Sequence, residues 1–295
     1  MKTLAPYLQT VIIAMAWFTV SSSLHAEGPA KEPVKAEEKA EEKPKPTEEQ
    51  NAEAGKKAEE LVKLASNREE LAMPGLKILV KKGYVDVDAK VCLTEGMLEL
   101  IACTKDSKEH ESMIMVEPKA AHIHAALLLI GAVPGNPAMR KEVQTEDGPR
   151  WVDLPPRGQE IDVYLVLPNK AGELEEHPIK KFLMKSKEEA FDGVPDVEDE
   201  NDKKDRTFPT HTFLFTGSHV YKDGENDPIY LADQAGNVIS LATFGDELLA
   251  LPGVHGQENE RLVWSVDSTH LPPLGTKVIL RLKPKKPAAA EEPKK

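Results

Sequence analysis

The sequence predicts an α+β domain: a mostly antiparallel β-sheet with one buried apolar helix, flanked by disordered tails. Three observations predict it. Stretches such as "YVDVDAKV" and "EIDVYLVL" alternate apolar and polar residues, and a period of two belongs to strands with one buried face. The stretch "PKAAHIHAALLLIGAVPG" is rich in Ala and Leu and bounded by Pro and Gly, the composition and punctuation of a helix. The two ends of the mature chain carry almost no large apolar residues, so they cannot bury enough surface to offset the entropy of ordering.

Taken in order, residues 1–26 read as an export signal. Lys2 supplies the positive start, "LQTVIIAMAWFTV" a short apolar core, and "SSSLHA" a cleavage point after Ala26. The core is shorter than the roughly 20 residues that span a bilayer, and no later run is apolar enough, so no membrane span is expected after cleavage. Residues 27–74 form a Glu/Lys/Pro/Ala tether, in which Ala52 to Ala65 can form a short transient helix. The folded part is expected over residues 75–282. Its first strand, around Val85, Val87 and Val91, is followed by the turn "TEG" and the strand "MLELIAC", which together predict a hairpin. "SMIMV" is a short strand. Pro118 then opens the helix, and Gly131 and Pro134 close it. Ile161, Val163, Leu165 and Leu167 alternate along another strand. Ser186 to Arg206 is an exposed acidic loop. "THTFLFTGSHVY", "IYLADQAGNVISLAT", "RLVWSV" and "TKVILRL" supply the remaining strands, with a hairpin turn at Gly236-Asn237. Residues 283–295 are a loose tail.

The net charge of -12 argues against nucleic acid as a partner, because phosphate backbones are held by clustered Lys and Arg. The two cysteines, Cys92 and Cys103, are too few for a disulfide scaffold or an iron–sulfur cluster. Antiparallel pairing across "TEG" sets Cys92 opposite Leu98 and leaves Cys103 a strand's length away. A disulfide between them needs a different register, and free buried thiols are the equal alternative.

The candidate site is the segment around His110, Glu111 and Ser112, with His124 on the helix. Imidazole and carboxylate are ligand types for zinc or iron, and His110, Glu111 and His124 are the three that an open metal site would use. On an ideal helix His122 and His124 point about 200° apart, so both cannot hold one ion. The structural alternative has His124 hydrogen-bonded in the core and the "EHES" segment forming a tight turn, with Ser112 satisfying backbone amides.

At these residues the chain resembles a known family. "VCLTEGMLELIACTKDSKEHESMIMVEPKAAHIHAALLLIGAVPG", "FTGSHVYKDGENDPIYLAD" and "LPPLGTKVILRL" are similar to the YdjY-like family of exported bacterial proteins of the planctomycete type. The resemblance covers most of Leu76 to Leu282 and leaves out the tether and tail. It implies a fold unit and a location in the periplasm or cell envelope, and it carries no reaction with it. Its pattern picks out Cys92, Glu99, Cys103, His110, Glu111, Ser112 and His124; His122 is outside it. Where the family has "SNF", this chain has "LATF", Leu241 to Phe244.

Three functions of different class follow. The first is a non-catalytic envelope module that binds an envelope protein or small ligand through the loop around His110, Glu111 and Ser112. The second is a metal-dependent enzyme with zinc or iron on His110, Glu111 and His124. The third is a redox role for Cys92 and Cys103, which lack CxxC spacing and a nearby cation. Whether the chain is an enzyme stays open at this point.

Overall fold

The computed structural model describes residues 69–145, 148–169, 171–186, 207–222, 227–256 and 263–286. The export signal, the tether up to residue 68 with its 52–65 helix, the acidic loop over 187–206 and the tail beyond residue 286 lie outside the described residues. Strands β1 (Leu71–Met73), β2 (Leu76–Leu79) and β3 (Tyr84–Val91) come first. They are followed by β4 (Leu100–Thr104), β5 (Ser112–Val116) and helix α1 (Ala120–Leu129). A ribbon of β6 (Met139–Thr145) and β7 (Gly148–Leu154) precedes β8 (Gln159–Pro168), β9 (Leu174–Pro178), a 3-10 turn at Ile179–Phe182 and β10 (Leu183–Lys185). The last part contains β11 (Thr212–Phe215), β12 (Val220–Tyr221), β13 (Ile229–Tyr230), helix α2 (Leu231–Ala235), β14 (Asn237–Ser240), β15 (Leu249–Ala250), β16 (Trp264–Val266) and β17 (Lys277–Pro284).

These strands correct the expected fold class. The chain is mostly β, and its main sheet closes into an eight-stranded barrel in the order β3, β17, β8, β11, β15, β14, β4, β5, with β5 pairing back onto β3. β1, β2 and β9 are extra strands on the outside of that ring. The expectation of an open antiparallel sheet fails for a physical reason. Alternation with period two marks a strand with one buried face, and it is the same in an open sheet and in a barrel. Closure removes both sheet edges, which otherwise invite pairing with other chains.

The predicted β3–β4 hairpin also fails. β5 lies between the two strands, antiparallel to β3 (Ala89↔Val116) and parallel to β4 (Leu100↔Ser112). Every residue of β5 is buried, as expected of a strand covered on both faces. The segment "LADQA" was expected within a strand; it forms α2 instead, and Gly236 ends it with φ of 83°, the left-handed cap that glycine adopts without strain.

Other expectations hold locally. Val85, Val87 and Val91 are buried, as are Ile161, Val163, Leu165 and Leu167, and together they line the core. The predicted apolar helix is α1, with seven of its residues buried, from Ala120 to Leu129. On the outer surface Arg281 bridges three strands. It donates to both Asp86 oxygens at 2.6 Å and to Glu176 at 2.5 Å, and lies 4.1 Å over the Tyr84 ring. Among the described residues no helix is long and apolar enough to cross a membrane.

Candidate functional site

The site grows out of an unusual connection. Parallel strands normally need a crossover of a dozen or more residues. Here β4 ends at Thr104 and β5 begins at Ser112, and Ser112 is level with Leu100 at the start of β4. The stretch 105–111 must therefore run back along the strands it joins. Its turns are tied locally: the Ser107 hydroxyl donates to Thr104 O at 2.5 Å, the Asp106 amide to Glu109 Oε1 at 3.0 Å and the Glu111 amide to Lys108 O at 3.2 Å. Asp106 takes φ of 60°, a conformation Asp tolerates better than most residues. The return is anchored where Glu111 O accepts the amides of Glu99 and Leu100, both at 3.2 Å.

Most of the residues singled out from the sequence meet at this loop. His110 stands in solvent, with 79% of its side chain exposed, and its Nε2 lies 3.7 Å from Glu111 Oε2. On the other side of Glu111, Lys108 Nζ is 3.5 Å from Oε1 and sits 3.8 Å over the Phe244 ring. Glu111 is only 21% exposed, so it is a carboxylate held between two nitrogen groups. Glu99 joins it: burial first, and then the negative charge of Glu111, raise its carboxyl above the usual range.

Beneath the loop lie the two cysteines. Both are free thiols, Cys103 buried and Cys92 half-buried. β5 lies between β3, which leads to Cys92, and β4, which carries Cys103. The Cys92 thiol donates to Ser112 O at 3.1 Å. Cys103 is lowered to about 7. Interaction with the Cys92 thiol is the main cause, burial opposes it, and Ser112, Ser107 and the Lys108 amide add to it. Cys92 is raised, first by its interaction with Cys103 and then by burial. Ser112 is fully buried, and its hydroxyl has no partner of normal geometry. Ser112 was expected to present itself to a ligand; its burial makes it a support for the loop.

His124 belongs to a second cluster. Its Nδ1 lies 2.8 Å from Tyr230 Oη, and the Tyr230 hydroxyl donates to Gly217 O at 2.9 Å. The single hydroxyl hydrogen is thereby used, so Nδ1 of His124 carries the proton. The ring packs edge-on against Phe215 at 5.0 Å. Burial lowers His124 to about 4, so it is neutral at physiological pH. The same cluster completes α1. Lys119, at the cap position, offers no side-chain cap, and Asp233 of α2 accepts the Ala121 amide at 3.2 Å instead.

Of the expected metal set, His110 and Glu111 stay together and His124 is engaged with Tyr230. Among the described residues no group of three or more His, Cys, Asp and Glu side chains is placed to hold a metal ion.

Phe244 links the loop to a cleft of about 530 Å³ between the β6–β7 ribbon and residues 243–256, lined by Met139, Arg140, Asp153, Phe244 and His255 among others. The segment "LATF" thus contributes Thr243 and Phe244 to the cleft wall. Lys108, Tyr230 and Asp233 were missed from the sequence. Only Lys108 carried a signal, its spacing of three from Glu111.

A family model described as the YdjY domain matches residues 76–283. No curated protein and no solved structure matches the chain.

Proposed function

The chain belongs to the YdjY family, and from that premise we propose that it is a binding module of the cell envelope, exported to the periplasm or envelope. It engages an envelope protein or small ligand through the loop that carries His110 and Glu111. One observation carries this reading. His110 is 79% exposed at its side chain, beside a Glu111 that is only 21% exposed and flanked by Lys108. A donor–acceptor pair fixed on a tied loop can recognise a polar group without losing much side-chain freedom. The cleft beside Phe244 gives a bound ligand a concave wall next to that pair.

The role is binding rather than nucleophilic catalysis. A serine nucleophile needs a base within hydrogen-bond reach, and the Ser112 hydroxyl is fully buried with no hydrogen-bond partner among the described residues.

The test is quantitative capture from envelope extract by immobilised mature chain. His110→Ala and Glu111→Gln are each expected to lower retention of the species held by the wild-type chain. Equal retention by wild type and both variants removes this loop as the binding surface.

A further inference from the structure

We propose that the ribbon of β6 and β7 is a second docking surface, and that its occupant is an extended acidic segment of a partner protein, added to the outer edge of β6 as a third strand. The proposal goes beyond the loop at His110 and does not depend on it.

The isolation of the ribbon carries the first half. β6 and β7 pair with one another from Met139↔Leu154 to Thr145↔Gly148, and among the described residues no other strand joins them. Every residue of β6 is exposed, and so are all residues of β7 except its two ends. A two-stranded ribbon is marginally stable in water on its own; a third strand or a packed face is what stabilises such a unit. On each strand alternate residues turn their N–H and C=O groups outward, and such groups are a template for another chain. β7 contains Pro149, which has no N–H, whereas β6 contains no proline. β6 is therefore the strand that keeps its full set of donors.

Charge selects the occupant. Residues opposite each other in a ribbon share a face, so Met139, Lys141 and Val143 lie on one face with Leu154, Val152 and Arg150. Arg140, Glu142, Trp151 and Asp153 lie on the other. Both acids of the two strands are thus on the second face, where Asp153 pairs with Arg140 at 2.9 Å and Glu142 accepts from Gln144 at 3.2 Å. The first face holds apolar side chains and two cations, and among the described residues neither Lys141 nor Arg150 has an ion-pair partner. A strand laid antiparallel along β6 sets side chains opposite Met139, Lys141 and Val143. An apolar, an acidic and an apolar residue at every second position complement them. A second copy complements them less well. Two antiparallel β6 strands centred on Lys141 or on Glu142 set that charge against itself, which is destabilising. Centred on Val143, they leave Met139 and Arg140 outside the pairing.

The probe is a capped peptide, Thr-Thr-Val-Thr-Glu-Thr-Val, added to the full mature chain, with backbone hydrogen exchange read over residues 139–145. With peptide at about ten times its Kd, exchange there is expected to slow about tenfold. Lys141→Glu is expected to abolish the protection, and the same peptide with Lys in place of Glu is expected to restore it on that variant. Lys141 is exposed, so this substitution leaves the fold in place. No protection at millimolar peptide, equal protection of the wild-type chain by the Glu and Lys peptides, or protection confined to β7 overturns the proposal. Protection that rises with protein concentration without peptide makes a second copy the occupant and overturns it too. Protection by phosphatidylglycerol vesicles and by neither peptide does the same in favour of a lipid surface. The peptide test does not involve His110 or Glu111, so its failure leaves the loop reading standing, and a failed capture by the loop leaves the ribbon standing.

Discussion

The His110 and His124 clusters use the same side-chain chemistry in opposite ways. Around His124, the Tyr230 hydroxyl, Gly217 O, the Asp233 carboxylate and the amide of Ala121 each have a protein partner, and burial holds the imidazole neutral. Around His110, the Lys108 and Glu111 side chains pair at part-exposed positions beside an exposed imidazole, and a buried hydroxyl at Ser112 lacks a normal partner. A polar cluster whose members satisfy each other is a fastening, since its bonds join α1, α2 and the turn after β11. A cluster that holds charge at the surface keeps interaction capacity for something else.

Substitutions test that contrast, beginning in the fastening. Gly217 takes φ of 82°, and a Cβ there would meet Pro134 Cβ at 2.8 Å and His124 Cε1 at 3.2 Å. Backbone strain and overpacking add, so Gly217→Ala is expected to cost about 4 kcal/mol in urea unfolding. A cost below about 1 kcal/mol means the turn can move away and the cluster is looser than described.

The His124 titration comes next. Its value is near 4 in the folded chain and 6.5 without the fold. Between those two pH values the unfolded chain binds the proton and the folded chain does not, so stability falls as pH falls. The contribution is complete above pH 6.5 and amounts to about 3 kcal/mol lost by pH 4. Burial raises the neighbouring Asp233, which acts in the opposite direction. The measurement is therefore the difference in pH slope between wild type and His124→Phe, and equal slopes would sink the assignment.

Asp233→Ala removes the only side-chain cap found for α1 among the described residues and is expected to cost about 1 kcal/mol. Smallest of all, His110→Ala is expected to change stability by no more than about 0.5 kcal/mol. A large loss there would make His110 a second fastening and erase the difference between the clusters.

The sequence carried the local part of this well. The alternation of Val85, Val87 and Val91 marks β3, and the Pro118 start and Gly131 stop bracket α1, because these signals depend on near neighbours. The closure of the barrel was not legible, since β5 inserts between β3 and β4 by contacts that no local period encodes. That insertion also hid the neighbour of Cys92: a hairpin at "TEG" sets Cys92 opposite Leu98, whereas its thiol donates to Ser112 O at the start of β5. "KEHES" was legible as a loop with ligand-type side chains. The burial of Ser112 and the pairing of His124 with Tyr230 were not, because the partners lie far along the chain.

The central claim is that the loop surface, and not the His124 cluster, is what the protein offers to others. The direct measurement is capture from envelope extract by wild type, His110→Ala and His124→Phe, each normalised to its folded fraction. The account predicts that retention falls for His110→Ala and is preserved per folded molecule for His124→Phe. Retention that survives His110→Ala and is lost with His124→Phe would contradict it.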